Sequence, residues 1–195
     1  MKNLVKLSVV SAFLLIVFVS QAQVSYGVKA GLNVSTLSGF SKSAETKFKS
    51  GSHVGLIGHV ELFSPSFFIQ PELLFSQEGM KEKDGKKFIN HTLNYLQLPM
   101  YLGYKMDVGS DLNVIVGVGP YLAYGLSGTN KVFKKELNRF DAGVSAMGGI
   151  QFEKIQITAG YDFGFSDIRK GELKKAKDLS RISNRNFKVS LAYLF

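Results

Sequence analysis

Residues 155–166 read IQITAGYDFGFS, and this stretch decides the fold. Apolar side chains occupy every second position: Ile155, Ile157, Ala159, Tyr161, Phe163 and Phe165. Small or polar residues lie between them: Gln156, Thr158, Gly160, Asp162, Gly164 and Ser166. Because successive side chains of a strand point to opposite faces, this period of two predicts a β-strand with one apolar face and one polar face.

The same alternation recurs in seven other segments of the chain. They are Val24–Ser35, Ser52–Leu62, Phe67–Gln77, Ile89–Tyr104, Asp111–Leu126, Arg139–Phe152 and Asn186–Phe195. Beyond the N-terminal segment we find no helix-period apolar stripe of useful length. The sequence therefore predicts an all-β chain with eight strands.

The connections between these segments alternate in length. Short ones fall at Phe63–Ser66, Lys105–Ser110 and Glu153–Lys154. Long polar ones fall at Leu37–Gly51, Glu78–Phe88, Ser127–Asn138 and Asp167–Arg185. Short periplasmic turns, longer external loops and an even number of strands are typical of outer-membrane β-barrels. We therefore expect an antiparallel up-and-down transmembrane barrel with both termini on the periplasmic side.

The N-terminus has the features of an export signal. Lys2 and Lys6 precede an apolar run, Val9–Val19, which is followed by Ser20-Gln21-Ala22. A basic start, an apolar stretch of roughly 7–15 residues and small residues before the cut predict a signal peptide, 1–22, cleaved after Ala22. The alternative, a membrane anchor, would need about 20 apolar residues. Residues 23–195 then form one barrel domain.

Alternation alone does not say which face is outside, because a soluble lipocalin-like barrel has the same period with the polarity inverted. The polar face holds mainly Gly, Ser, Asn, Gln and Thr, whereas a soluble exterior would carry many charges. The apolar face has aromatic residues near the strand ends, where rings meet the lipid–water interface. We therefore expect the apolar face to meet lipid. Three prolines fall inside strands and make the local register less certain: Pro71, Pro99 and Pro120.

The formal charge of +9 would suit nucleic acid binding, but export argues against that partner. The basic residues concentrate in the predicted long loops: Lys42, Lys47, Lys49, Lys81, Lys83, Lys86, Lys87, Lys131, Lys134, Lys135, Arg169, Lys170, Lys174, Lys175, Lys177, Arg181 and Arg185. Such loops either contact lipopolysaccharide phosphates or form a solvated rim. The chain has no cysteine, which excludes disulfides and thiolate metal sites.

The last strand ends in an aromatic ladder: Phe187, Val189, Leu191, Tyr193 and the terminal Phe195. This pattern is similar to the C-terminal signal that the outer-membrane assembly machinery recognises. The alternative interpretation is an ordinary closing strand.

Several strand sequences resemble those of the PorT-like, or small outer-membrane β-barrel, family. GVKAGLN at 27–33, QPELLFSQ at 70–77, YLQLP at 95–99 and GPY at 119–121 are similar to its first, third, fourth and fifth strands. The resemblance spans essentially the whole mature chain and implies a barrel with prolines at these strand positions. It carries no catalytic motif. The founding member is tied to a secretion and gliding apparatus, which makes secretion-system proteins alternative partners.

The three histidines, His53, His59 and His91, offer little chemistry in the sequence. His53 and His59 share the polar face of the second strand but lie about 20 Å apart along it, too far to bind one ion. His59 and Glu61 are neighbours on that face and are expected to pair. We predict no catalytic residue, no cofactor and no metal site.

The interior charges are expected to pair with one another. Lys29 and Lys188 lie on the polar faces of the first and last strands, which are neighbours in a closed barrel. Glu61, Glu72, Asp141 and Asp162 supply the opposite charge. Because an unpaired charge in a narrow lumen is costly, each lysine should find a carboxylate there; a thin water path is the alternative. The sequence thus favours a structural or surface-interaction role, with transport or secretion as the alternative.

Overall fold

The computed structural model describes residues 24–38, 46–62, 64–84, 87–109, 111–128, 138–166 and 183–195. The strands within these ranges are β1 (Val24–Ser38), β2 (Thr46–Lys47), β3 (Lys49–Glu61), β4 (Phe67–Asp84), β5 (Lys87–Gly109), β6 (Leu112–Gly128), β7 (Phe140–Phe152), β8 (Ile155–Gly164) and β9 (Ser183–Leu194). No helix in this part of the chain has the length and apolar character of a membrane span. The predicted signal peptide, 1–22, and loop cations such as Lys42, Lys131 and Arg169 lie outside these ranges.

The eight long strands close into a barrel. Their order around it is β4, β3, β1, β9, β8, β7, β6 and β5, and β5 pairs again with β4. Each pairing is antiparallel, and β1 meets β9 with Val28 opposite Tyr193. The two-residue strand β2 adds only to the outer part of β4. The predicted eight-stranded antiparallel barrel is confirmed.

The apolar face of each of the eight long strands points outwards. On β9, Val189 and Leu191 are 47% and 58% exposed, whereas Lys188 and Ser190 beside them are buried at 3% and 5%. The same pattern holds on the other long strands, where exposed Leu, Val, Ile and Phe alternate with buried polar residues. The predicted orientation is confirmed, because only a hydrocarbon solvent accommodates a continuous apolar exterior of this kind.

The second long connection and the second short connection are much shorter in the structure than the alternation indicated. The segment Glu78–Phe88 was predicted as a loop, yet the β4–β5 ladder continues from Glu78↔Leu93 to Asp84↔Lys87. At the other end, β5 runs to Gly109 and pairs there with Leu112. Backbone pairing continues past the membrane because an antiparallel hairpin needs no apolar face to satisfy its hydrogen bonds.

The three strand prolines interrupt the ladders without ending the strands. The β4–β5 ladder skips from Pro71↔Met100 to Leu74↔Gln97. The β5–β6 ladder skips from Pro99↔Tyr121 to Leu102↔Val118, and Pro120 lies in this gap. Each proline lacks a backbone donor, so pairing is lost locally while neighbouring residues hold the register.

Candidate functional site

Two buried ion pairs lie inside the barrel. Lys29 Nζ is 2.7 Å from Glu72 Oε1, and Lys188 Nζ is 2.9 Å from Asp162 Oδ2. The four side chains are at most 5% exposed. The expectation that each interior lysine finds a carboxylate is confirmed, because a charge sealed from water in this space is tolerated only beside an opposite charge.

Neutral side chains hold the acidic partners in place. Gln70 Nε2 donates to Glu72 Oε1 at 2.8 Å, and the Ser145 hydroxyl donates to Asp162. Tyr101 Oη and Ser145 Oγ lie 2.8 Å apart. Each carboxylate therefore has a second partner besides its lysine, which favours a single arrangement of the interior.

The interior becomes apolar towards the short-turn end. Phe68, Tyr101, Ile115 and Met147 pack together there, and Phe68 is fully buried. The Phe68 ring fills the space beside Gly103, where a Cβ atom would come within 2.1 Å of Phe68 Cζ. A water path through the lumen, the alternative interpretation of the interior charges, would have to pass this cluster.

His53 has two side-chain partners in the lumen. Its Nδ1 lies 2.5 Å from Asn33 Oδ1, and its Nε2 lies 2.8 Å from Ser190 Oγ. Serine, histidine and asparagine are thus in the order of a nucleophile, a base and an orienting group. All three side chains are buried, and a Cβ on Gly31 would come within 2.6 Å of His53 Cε1. Packing this close leaves no room for a substrate between the ring and Gly31.

The sequence did not reveal this constellation. Strand parity places Asn33, His53 and Ser190 on the polar face. Their meeting depends on the closure of β1 against β9, where Gly31 is opposite Ser190. Local patterns within a strand contain no signal for a contact between residues so far apart in the chain.

The predicted His59–Glu61 pair is wrong. His59 Nδ1 lies 3.1 Å from Gln70 Oε1, and its ring lies 4.6 Å from that of Phe68. Glu61 instead pairs with Lys105. His59 therefore contacts a residue of the adjacent strand, Gln70, rather than Glu61, which lies two positions along its own strand. His91 belongs to β5, but its side chain lies outside the described part, and the described residues contain no group of three or more metal-ligating acidic, histidine or cysteine side chains.

Lys49 was assigned to the basic loops, and this prediction is also wrong. The residue begins β3, and its side chain is buried at 8%. Its ammonium donates to Thr92 Oγ1 at 2.6 Å and to the backbone oxygen of Glu78 at 3.4 Å. A lysine near the rim can turn its charge inwards because its side-chain stem is long and apolar. The alternation of strand side chains gives no such indication for a residue that is predicted to lie in a loop.

Glu78 is the centre of a polar cluster at the long-loop end of the lumen. Its Oε1 accepts from Gln97 Nε2 at 2.6 Å, Asn186 Nδ2 at 2.9 Å and Ser76 Oγ at 3.0 Å. Its Oε2 accepts from Asn184 Nδ2. Sequence analysis placed Glu78 in a loop. The extended β4 instead turns this carboxylate into the barrel, where its exposure is 0%.

Two arginines lie against aromatic rings at the long-loop end. The Arg185 guanidinium carbon is 4.8 Å from the Phe163 ring centre, and that of Arg139 is 5.9 Å from the Tyr124 ring centre. Arg139 Nη1 also donates to the backbone oxygens of Gly125 and Leu126. Arg185 Nη1 is buried and has no hydrogen-bond partner in the described part of the chain. Both arginines place a cation at the long-loop end, and a guanidinium is suited to an anionic group at the membrane surface.

Similar folds occur among small membrane barrels. The attachment invasion locus protein Ail of Yersinia pestis is 11% identical, with a TM-score of 0.47 over 88% of this chain and 98% of that chain. Neisserial surface protein A is 11% identical, with a TM-score of 0.51 over 89% of this chain and 99% of that chain. No curated protein matches the sequence.

The family comparison agrees with the geometry. The model of the outer membrane protein beta-barrel domain matches residues 19–170, which is most of the chain. The closed barrel, its apolar exterior and its polar interior are the features that this domain requires. The chain therefore belongs to the outer membrane protein beta-barrel domain family and is an integral protein of the bacterial outer membrane.

Proposed function

We propose that this protein is a non-enzymatic surface-interaction barrel whose basic long loops contact anionic groups outside the cell. The observation that carries the proposal is the packed interior. Ion pairs and the Phe68 cluster occupy the lumen, so contacts with molecules outside the cell are made by the rim and the loops. We place both termini of the chain that remains after signal cleavage, together with the short turns, on the periplasmic side.

The anionic partner that fits best is lipopolysaccharide. Its lipid A phosphates would meet the long-loop end of the barrel, where the partly exposed Arg185 stands over the Phe163 ring. The surrounding loop sequence, 167–182, adds further lysines and arginines. A phosphate accepts strong hydrogen bonds from a guanidinium, so Arg185 is proposed as one contact.

Binding to lipid A vesicles tests this proposal. We expect the detergent-solubilised barrel to bind vesicles containing lipid A, and binding should fall steeply as salt rises to about 0.5 M. Arg185→Gln should weaken binding several-fold. The matched control Lys154→Gln removes an exposed cation at the opposite end of the barrel and should change nothing. Binding that ignores salt, or equal loss in both variants, would contradict the proposal.

The C-terminal strand is proposed as the contact for the outer-membrane assembly machinery. Phe187, Val189, Leu191 and Tyr193 all face outwards on β9, and Phe195 follows them at 68% exposure. An assembly factor meeting the unfolded chain would find one continuous apolar edge. Phe195→Ala should slow folding into membranes when assembly machinery is present, and it should leave spontaneous refolding in detergent unchanged.

The alternative function is transport or secretion, as a narrow pore or as a PorT-like accessory. The accessory form rests on the resemblance of the strand motifs at 70–77 and 95–99 to the PorT-like family, and these motifs are architectural. Co-purification of secretion proteins from mildly solubilised membranes would favour it. Single-channel conductance in planar bilayers would favour the pore. A lipid-acting enzyme would require turnover that is lost on changing His53, His59 or His91.

A further inference from the structure

A groove lies on the outer surface of the barrel near the short-turn end. Its volume is about 350 Å³, and five of the residues that line it belong to the exposed apolar face: Phe67, Leu102, Tyr104, Val116 and Val118. The other lining residues are Gly103, Gly117 and Met147, whose side-chain positions face the lumen because strand residues alternate. The floor of the groove is therefore the backbone of the barrel wall.

The strand register sets the shape of this groove. Three cross-strand neighbours form one row of outward side chains: Phe67, Tyr104 and Val116. Leu102 lies opposite Val118, and this pair forms a second row two residues further along the strands. Gly103 pairs with Gly117 between the two rows. The groove is thus the space that separates the rows above this glycine pair.

The groove lies beside an irregular part of the wall. The β5–β6 ladder skips Pro120, and pairing resumes with Leu102 opposite Val118, at the edge of the groove. Proline has no backbone donor, so the wall loses hydrogen bonds there. A disrupted ladder bends the strands locally, which accounts for a depression in the outer surface at this height.

Side chains inside the barrel separate the groove from the lumen. The Phe68 ring fills the space beside Gly103, and a Cβ atom on Gly117 would lie 3.2 Å from Met147 Cε. Phe68 and Met147 both belong to the apolar cluster at this end of the lumen. An occupant of the groove therefore comes from the membrane and not from the interior of the barrel.

The surroundings of the groove define the chemistry of its occupant. The groove is continuous with the apolar exterior, which meets hydrocarbon. Lipid tails are as apolar as the lining, so binding here depends on van der Waals contact rather than on the hydrophobic effect. A groove increases that contact because it surrounds a chain on more than one side. A flexible acyl chain therefore packs more closely here than on the convex wall elsewhere.

An aromatic pair at one edge gives such a chain a direction. The rings of Phe67 and Tyr104 lie 5.0 Å apart in an edge-to-face arrangement. Aromatic rings near strand ends lie at the lipid–water interface, where the Tyr104 hydroxyl can donate to an ester or phosphate oxygen. We place the short turns on the periplasmic side, so the lipid at this end belongs to the inner leaflet, which consists of phospholipid rather than lipopolysaccharide.

We propose that this groove is a binding site for one acyl chain of an inner-leaflet phospholipid, whose head group lies beside Tyr104. The choice of leaflet rests on the proposed orientation of the barrel, whereas the choice of an acyl chain rests on the groove itself. The site is at the opposite end of the barrel from Arg185, so it is independent of the lipopolysaccharide contact proposed above.

Native mass spectrometry tests the site. The barrel is refolded in a mild non-ionic detergent with equal amounts of phosphatidylethanolamine and lipid A, freed of excess lipid by gel filtration and weighed intact. We expect a species that carries one phospholipid. Val116→Phe puts a ring into the groove and should lower the phospholipid-bound fraction at least about fivefold. This variant should still fold, because one lipid-facing apolar residue replaces another.

The matched control is Val189→Phe. Val189 on β9 and Val116 on β6 are both 47% exposed, but Val189 does not line the groove. The control should retain phospholipid as wild type does. Wild type without bound lipid, equal loss in the two variants, or a dimer that only Val116→Phe abolishes would overturn the acyl-chain site. Retention of lipid A in place of phospholipid would overturn the assignment to the inner leaflet.

Tyrosine fluorescence gives a second measurement, because the chain contains no tryptophan. Phosphatidylethanolamine with brominated acyl chains, titrated into the detergent-solubilised barrel, should quench the emission saturably. Tyr104→Phe should remove most of this quenching. Tyr26→Phe should not, although Tyr26 is also exposed on the outer face. Quenching that does not saturate, or that both variants reduce equally, would contradict the proposal.

Discussion

Breaking the Lys188–Asp162 pair is the sharpest test of the interior. Asp162→Asn keeps the shape of the side chain but removes its charge, which leaves the Lys188 ammonium without a counter-ion. The side chains of Lys188 and Asp162 are only 4% and 2% exposed, so water cannot replace the lost partner. Removing one member of a buried pair costs about 3–5 kcal/mol, and we expect a loss of unfolding free energy in that range.

The Ser145 and Asn186 side chains share this carboxylate, which makes the loss cooperative. The Ser145 hydroxyl donates to Asp162, and Asn186 Nδ2 lies 3.4 Å from Asp162 Oδ2. Adding Lys188→Met to Asp162→Asn removes the stranded charge. The double variant should therefore be more stable than the sum of the single variants predicts, with a coupling of about 1–3 kcal/mol.

The assay is denaturant unfolding of the barrel in phosphatidylcholine bilayers, read from the heat-resistant folded band on a gel. The matched control Asp111→Asn removes the same charge from an exposed turn residue with a φ of 62°, a conformation that asparagine also tolerates. Its unfolding free energy should stay within about 0.5 kcal/mol of wild type. If Asp162→Asn proved as harmless as this control, the reasoning about a sealed, ion-paired lumen would be refuted.

Two further variants test the packing and the orientation of the barrel. Gly103→Ala places a methyl group within 2.1 Å of the fully buried Phe68 ring and should lower the unfolding free energy by about 1–3 kcal/mol. The control Gly58→Ala should be tolerated, because its Cβ would lie 3.5 Å from Pro71. Equal stability of the two variants would contradict the packing described. Leu191→Lys puts a charge on the exposed outer face of β9 and should destabilise the barrel in bilayers by up to about 2–4 kcal/mol, depending on its depth. A Leu191→Lys barrel as stable as wild type in the same bilayers would argue against a hydrocarbon-facing position.

Strand number and the facing of side chains were predictable because both follow from local geometry. The alternation in IQITAGYDFGFS places Asp162 and Phe163 on opposite faces, and the composition of the polar face assigns Asp162 to the interior; the structure agrees. Closure of the predicted barrel likewise brings the first and last strands together, which β1 and β9 confirm. Strand pleating determines these features one residue at a time, so no knowledge of distant neighbours is needed.

Strand lengths beyond the membrane were not predictable in the same way. The alternation of apolar and polar residues ends after Gln77 because polar residues occupy both faces, yet β4 continues to Asp84. The pairing partner, β5, supplies the backbone hydrogen bonds that keep it extended. This extension turns Glu78 into the lumen and, through the adjoining β3, brings Lys49 with it.

Within the predicted strands, the amino-acid sequence by itself determined which residues enter the lumen. Only the tertiary structure decided which of them meet: Lys29 with Glu72, His53 with Asn33 and Ser190, His59 with Gln70 rather than Glu61, and Asn184 with Glu78. The physical reason is that facing depends on the pleat of a single strand, whereas contacts across the barrel depend on the relative register of strands that are distant in the chain.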